Sequence, residues 1–167
     1  YKRQMPESSL PRLRVALGLL LAGVLGTAAS SLVGWRPTAA AGLGAYALGV
    51  LVLLGWLVTV ARTRAPRDYA GLSVLVGICW LLVGAVWTGV LVLRADWAGL
   101  DLTPVTPVFV AGFLVQVLLG AMTYLLPATM GGGPAPVRAG NRELTRLSWL
   151  RVTVVQLCLI PVSYTHL

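Results

Sequence analysis

The side chains that interrupt long apolar runs are where chemistry would have to sit in this chain. Gln116, Thr123 and Tyr124 are the polar residues of one such run. Positions 116, 120 and 123 share a helical face, with Gly120 between the polar pair. Such a face lines either a helix–helix contact or a small polar cavity, and hydrogen bonding between helices is the favoured expectation. Pro127 is expected to kink or end that helix. Cys79 and Cys158 lie in two other runs. A redox pair would need their Cα atoms within about 7 Å, so the safer reading is two small buried hydrophobes.

Other patterns have simpler explanations. Gly42-Leu43-Gly44 with Ala47 faintly matches a dinucleotide-binding fingerprint. It has no preceding strand and no acidic partner, so helix packing explains it better. Gly131-Gly132-Gly133-Pro134 lacks the Lys and Ser/Thr of a phosphate loop and reads as a helix stop and turn. Alternatively, its neighbours Arg138, Arg142 and Arg146 face lipid phosphates. The only His is His166, beyond the last apolar run. No imidazole ligand for haem or copper and no Ser-His-Asp or Cys-His set is therefore expected. No acid lies within a complete apolar run, so no buried proton relay is expected either. No catalytic, cofactor-binding or metal residue is assigned.

The surroundings of these residues define the class. Of 167 residues, 57% are hydrophobic and 11% charged, against about 25% charged in a soluble domain. The balance of +8 sits in gaps between apolar runs, which points to a polytopic membrane protein and away from nucleic acid. The fold class is all-α, a transmembrane helix bundle with four complete spans and a truncated fifth. They cover about 15–33, 38–61, 69–93, 107–129 and 150–161. The runs show no period-two alternation, which excludes a barrel. Small residues recur four apart (Ala40 and Gly44, Ala45 and Gly49, Ala85 and Gly89), a spacing that lets helix backbones approach closely in lipid. Gly and Ala are so common here that no single pair stands out.

With the N-terminus inside, nine Arg fall in inner segments; only Arg36 and Arg94 fall outside. That is a positive-inside bias, and Trp35, Trp97, Trp149 and Tyr69 fall at expected interfaces. Both chain ends read as translated transposon-adapter sequence. Tyr1-Lys2-Arg3-Gln4 back-translates as TAT AAG AGA CAG, and its reverse complement, read two bases in, encodes Val-Ser-Tyr and opens a Thr codon. Val162 to Thr165 match it. Residues 1–4 and 162–167 are therefore set apart as scars, leaving 5–161 as a transmembrane fragment. Met5 to Pro161 hold eleven Arg and no Lys or His against five acids, a charge of +6. Arg without Lys suggests a GC-rich bacterial genome, and the expected location is the bacterial cytoplasmic membrane.

One stretch goes beyond composition. Residues 112–127 read Gly-Phe-Leu-Val-Gln-Val-Leu-Leu-Gly-Ala-Met-Thr-Tyr-Leu-Leu-Pro, followed by Gly131-Gly132-Gly133-Pro134 and Val137-Arg138-Ala139-Gly140-Asn141. This resembles the N-terminal membrane region of actinobacterial multicopper oxidases, proteins similar to copper nitrite reductases. The resemblance covers most of Met5 to Pro161. It implies several spans ahead of extracytoplasmic cupredoxin domains that hold the copper. The family's His and Cys copper ligands have no counterparts here, so none is carried over. The implied partners are the lipid bilayer, the cupredoxin domains of the same parent chain and, as an open alternative, a second copy. Two other functions stay open: a transporter or channel subunit using the Gln116–Thr123 face, and a haem-copper-like respiratory protein with ligands outside the fragment.

Overall fold

A computed structural model describes residues 10–64, 69–129, 152–154 and 156–157. Helix α1 spans Leu10–Val33, α2 Arg36–Arg64 and α3 Tyr69–Arg94. Two 3₁₀ turns, Trp97–Gly99 and Thr103–Val105, lead into a fourth helix. That helix is π-wound over Val108–Val115 and continues as α4 over Gln116–Thr129. No strand occurs among the described residues. The protein is an all-α bundle with four helices long and apolar enough to cross a membrane. Even α1, the shortest of the first three with 24 residues, reaches roughly 36 Å, against a hydrocarbon core of about 30 Å. The loop at 130–148 and most of the fifth span lie outside the described residues; 152–154 and 156–157 are helical.

The helices overrun the apolar runs at both ends. α1 starts at Leu10 rather than 15, and α2 covers Arg36–Arg64 rather than 38–61. Hydropathy stops at the first charge, whereas a helix does not. Exposed Arg12, Arg14 and Arg62 can extend their stems along apolar surface and keep the guanidinium in polar surroundings. Gly34-Trp35-Arg36-Pro37, expected as a turn, splits in two. Gly34 closes α1 in the left-handed region at φ 79°. Its N–H donates to Ser31 O and the Trp35 N–H donates to Ser30 O, a Schellman cap. Arg36 and Pro37 already belong to α2, where a first-turn proline loses no helical hydrogen bond.

Successive helices pack antiparallel, α1 on α2, α2 on α3, and α3 on the fourth helix. Glycine sets the closeness of the first seam. A Cβ placed on Gly23 would lie 2.6 Å from the Tyr46 amide nitrogen and 2.8 Å from Gly42 O. One on Gly42 would lie 2.7 Å from the Thr27 nitrogen, and one on Gly49 3.0 Å from the Leu20 nitrogen. Ala16 and Gly23 are seven residues apart, as are Gly42 and Gly49; all four are buried. This is the heptad spacing of a left-handed crossing, not the four-residue spacing that the sequence emphasises. Of the pairs noted there, Ala85 is buried and Gly49 sits in the α1 seam, but Gly44 has open space around it. Gly42-Leu43-Gly44 lies within α2 and packs, through Gly42, on α1.

The π-segment aligns the second seam. Val105, Val108, Gly112, Gln116 and Gly120 are all buried, mostly four residues apart. In a pure α-helix, three such steps drift about 120° around the axis. The wider π turn needs more than four residues to close, so steps through it drift the other way and the stripe stays on α3. Phe109 lies over Gly84, the Trp80 ring over Gly112, and Ser73 against Gly120.

These contacts predict opposite outcomes for two glycines of similar sequence context. Gly23→Ala must push backbone apart, at about 1–3 kcal/mol, and lower the melting temperature in detergent. Gly44→Ala meets nothing within 4 Å and, by helix propensity, leaves it unchanged or raises it. Equal shifts for both variants in a thermal unfolding assay would contradict the seam.

Candidate functional site

Neutral polar groups gather where α3 meets the fourth helix. Gln116 and Ser73 each have 0% exposure. Gln116 lies one turn from Gly112, which carries the Trp80 ring, and one turn from Gly120, which carries Ser73. The Trp80 indole N–H donates to Gln156 Oε1 at 2.5 Å, tying the described part of the fifth helix to α3. Both amide atoms of Gln116, the Ser73 hydroxyl oxygen and Gln156 Nε2 are buried without a hydrogen-bond partner. A buried polar group in this state costs about 1–3 kcal/mol.

The residues singled out by sequence are distributed unevenly over this seam. Gln116 and Gly120 face α3. Thr123 is half-buried, and its hydroxyl donates to Gly120 O at 2.7 Å within its own helix. Tyr124 lies in α4, with its side chain outside the described residues. Cys79 is a free thiol, half-buried, and Cys158 lies outside the described residues. Sequence reasoning missed Ser73, Trp80 and Gln156. Each is a polar or aromatic residue within an otherwise apolar run, and only the neighbouring helix shows what it meets.

A second polar group lies at the end of the bundle where α1 turns into α2. Arg36 begins α2, where a cation opposes the helix dipole. Its guanidinium reaches across to the end of α3, donating to Ala95 O at 2.9 Å and pairing with Asp96 at 2.8 Å. The Trp97 indole N–H donates to Gly34 O at 2.7 Å. Together these bonds latch the loop after α3 to the α1–α2 turn. Trp35 stays exposed near this rim, whereas Tyr69, expected at the opposite interface, is 4% exposed and packs inside the bundle.

Between the two polar groups lies a half-open cavity of about 530 Å³. Thr27, Leu43, Tyr46, Thr88, Thr106 and Phe109 are among its lining. Its threonine hydroxyls donate to Gly23 O, Gly84 O and Leu102 O, each four residues back along the chain. The walls are otherwise apolar and suit a hydrocarbon body. Thr27 also approaches Ala39 O across the seam at 3.4 Å. Among the described residues no three His, Cys, Asp or Glu come together as a metal site. No family model, curated protein or solved structure matches the chain.

The rim yields a pH prediction. The Thr103 hydroxyl and backbone N–H hold the Asp101 carboxyl below its ordinary range, the backbone bond being 2.8 Å long. A lowered folded value means that this turn is stabilised above the unfolded pKa of about 3.9 and loses that support as pH falls through the folded value. Carboxyl-detected NMR in micelles should find Asp101 titrating below about 3.9, moving upward in Thr103→Val. A wild-type midpoint at or above that value would contradict the turn.

Proposed function

We propose that the chain is the membrane-embedded region of a copper-dependent oxidase or nitrite-reductase-like protein, holding extracytoplasmic cupredoxin domains against a bacterial cytoplasmic membrane. The observation that carries this reading is the stretch Gly112 to Pro127 followed by Gly131-Gly132-Gly133-Pro134. Its geometry is compatible with an anchor. Three residues of that stretch, Gly112, Gln116 and Gly120, are spent on seating the fourth helix against α3. The described charges keep to the helix ends and the rim, so the interior formed by the described residues is neutral. Under the arginine bias, the latched rim with Arg36 and Asp96 faces outward, on the side where the redox domains would stand.

The described donors do not assemble a copper site; in this reading the copper belongs to the cupredoxin domains. The described residues contribute position: a tightly packed support that keeps those domains at a fixed height above the bilayer.

The test is purification of the intact parent protein from its own membranes in detergent. Copper should co-purify with an electron paramagnetic resonance signal of cupredoxin type and without haem absorbance. Copper-free protein overturns the reading. Haem bands would support the respiratory alternative. Solute flux in proteoliposomes that Gln116→Leu abolishes would support the transporter.

A further inference from the structure

The unpaired atoms between α3 and the fourth helix have a chemical signature. They include donors, the Nε2 groups of Gln116 and Gln156, an acceptor, Gln116 Oε1, and the Ser73 hydroxyl, which does both. A cation would meet the two amide N–H₂ groups; an anion would meet the Gln116 carbonyl oxygen. Either would also have to enter an apolar interior with no described charged residue beside it, which is prohibitive without a counter-charge. A neutral ligand that both donates and accepts satisfies every one of these atoms.

Placement narrows the ligand further. Gln116 lies between two side-chain-free positions, Gly112 and Gly120, each one turn away. Trp80, bonded to Gln156, covers the first, and Ser73 covers the second. The three unsatisfied residues thus come from three helical segments, with Ser73 and the Trp80-bonded Gln156 flanking Gln116 within about two turns. Ser73 and Gln116 are fully buried and Gln156 Nε2 is shielded within a half-buried residue, leaving entry to the smallest amphoteric molecule. Buried water typically makes two to four hydrogen bonds to such groups. The π-segment ends at Gln116, and this winding keeps the amide in the stripe on α3; π turns of this kind are common at functional sites.

We propose that the seam between α3 and the fourth helix holds ordered water bridging Gln116 to Ser73 and Gln156, a hydrated polar core within the membrane bundle. The proposal is independent of the copper reading. Its water joins three segments that otherwise meet through glycine and aromatic packing and the Trp80–Gln156 bond. It makes Gln116 a ligand-binding residue as well as a packing one.

X-ray-pulse hydroxyl-radical footprinting of the full chain in nanodiscs tests this, because radicals form where water is held and oxidise the nearest side chains. Trp80, Phe113 and Val117 should be oxidised in the wild type despite their membrane position. Their labelling should fall several-fold in Gln116→Leu and in Ser73→Ala, the second variant removing a single oxygen should the first fail to fold. With H₂¹⁸O present, the oxygen added directly to the Trp80 and Phe113 rings should carry the heavy isotope. Absent labelling in the wild type overturns the proposal. So does labelling that both folded variants leave unchanged. A Gln116→Leu protein that melts higher while the wild type shows no labelling identifies a dry seam with orphan amides.

Discussion

Backbone-to-backbone closeness in a solvent that does not drive helices together is the constraint on which this bundle depends. Lipid tails are as apolar as leucine, so two oily helices gain little by meeting. What remains is dispersion at short range, a few hydrogen bonds and the loss of lipid contacts. Dispersion fades steeply with distance, and glycine is the residue that shortens it. Gly23, Gly42 and Gly49 let α1 and α2 touch main chain to main chain. On the other side of the molecule the same device takes another form. Gly77, Gly84 and Gly112 admit Val117, Phe109 and Trp80 as knobs. α3 serves both neighbours, with Ser73, Gly77 and Gly84 toward the fourth helix and Gly89 beside Leu43 of α2.

Polarity is then sorted by depth. The described ions stay at the ends, where Arg36 offsets its awkward place at a helix N-terminus by reaching the end of α3 and Asp96. The pair is largely exposed, so it orients the loop more than it stabilises it. The hydroxyls of Thr27, Thr88 and Thr123 return their protons to carbonyls of their own helix, whereas the buried Ser73 hydroxyl has no partner. The Gln116 amide likewise finds no carbonyl of its own helix. It is the one large polar side chain fully enclosed among the described residues, and the helix changes its winding where it sits.

Much of this was readable before any coordinates. Continuous apolar runs separated by arginines specify helices in lipid, and all four complete spans are present as helices. The ends were not readable, because hydropathy treats Arg12 and Arg36 as boundaries whereas helices include them. The seams were only half readable. Gly/Ala-rich text advertises many four-residue pairs, and nothing local distinguishes Gly44, which faces open space, from Gly42, which meets Thr27. The π-segment had no local signature, since Val108 to Val115 is an ordinary apolar string. Its consequence, a stripe of buried residues four apart, depends on α3. Gln116 was visible as an odd residue in its run; Ser73 and Gln156 gained meaning only through the helices they face.

The central claim is that these helices lie in lipid, antiparallel and in one fixed register. A Cβ on Gly89 would lie 3.8 Å from the Leu43 Cβ, the mean separation across a disulfide, about 3.8 Å. The most direct measurement is oxidative cross-linking of a Leu43→Cys, Gly89→Cys pair in intact membranes, with Cys79 and Cys158 replaced by Ala. An intrachain bond is expected between these two positions, and none for a Gly44→Cys, Gly89→Cys pair. Cross-linking of the second pair but not the first would contradict the register, and recovery of the protein free of membrane would contradict the solvent.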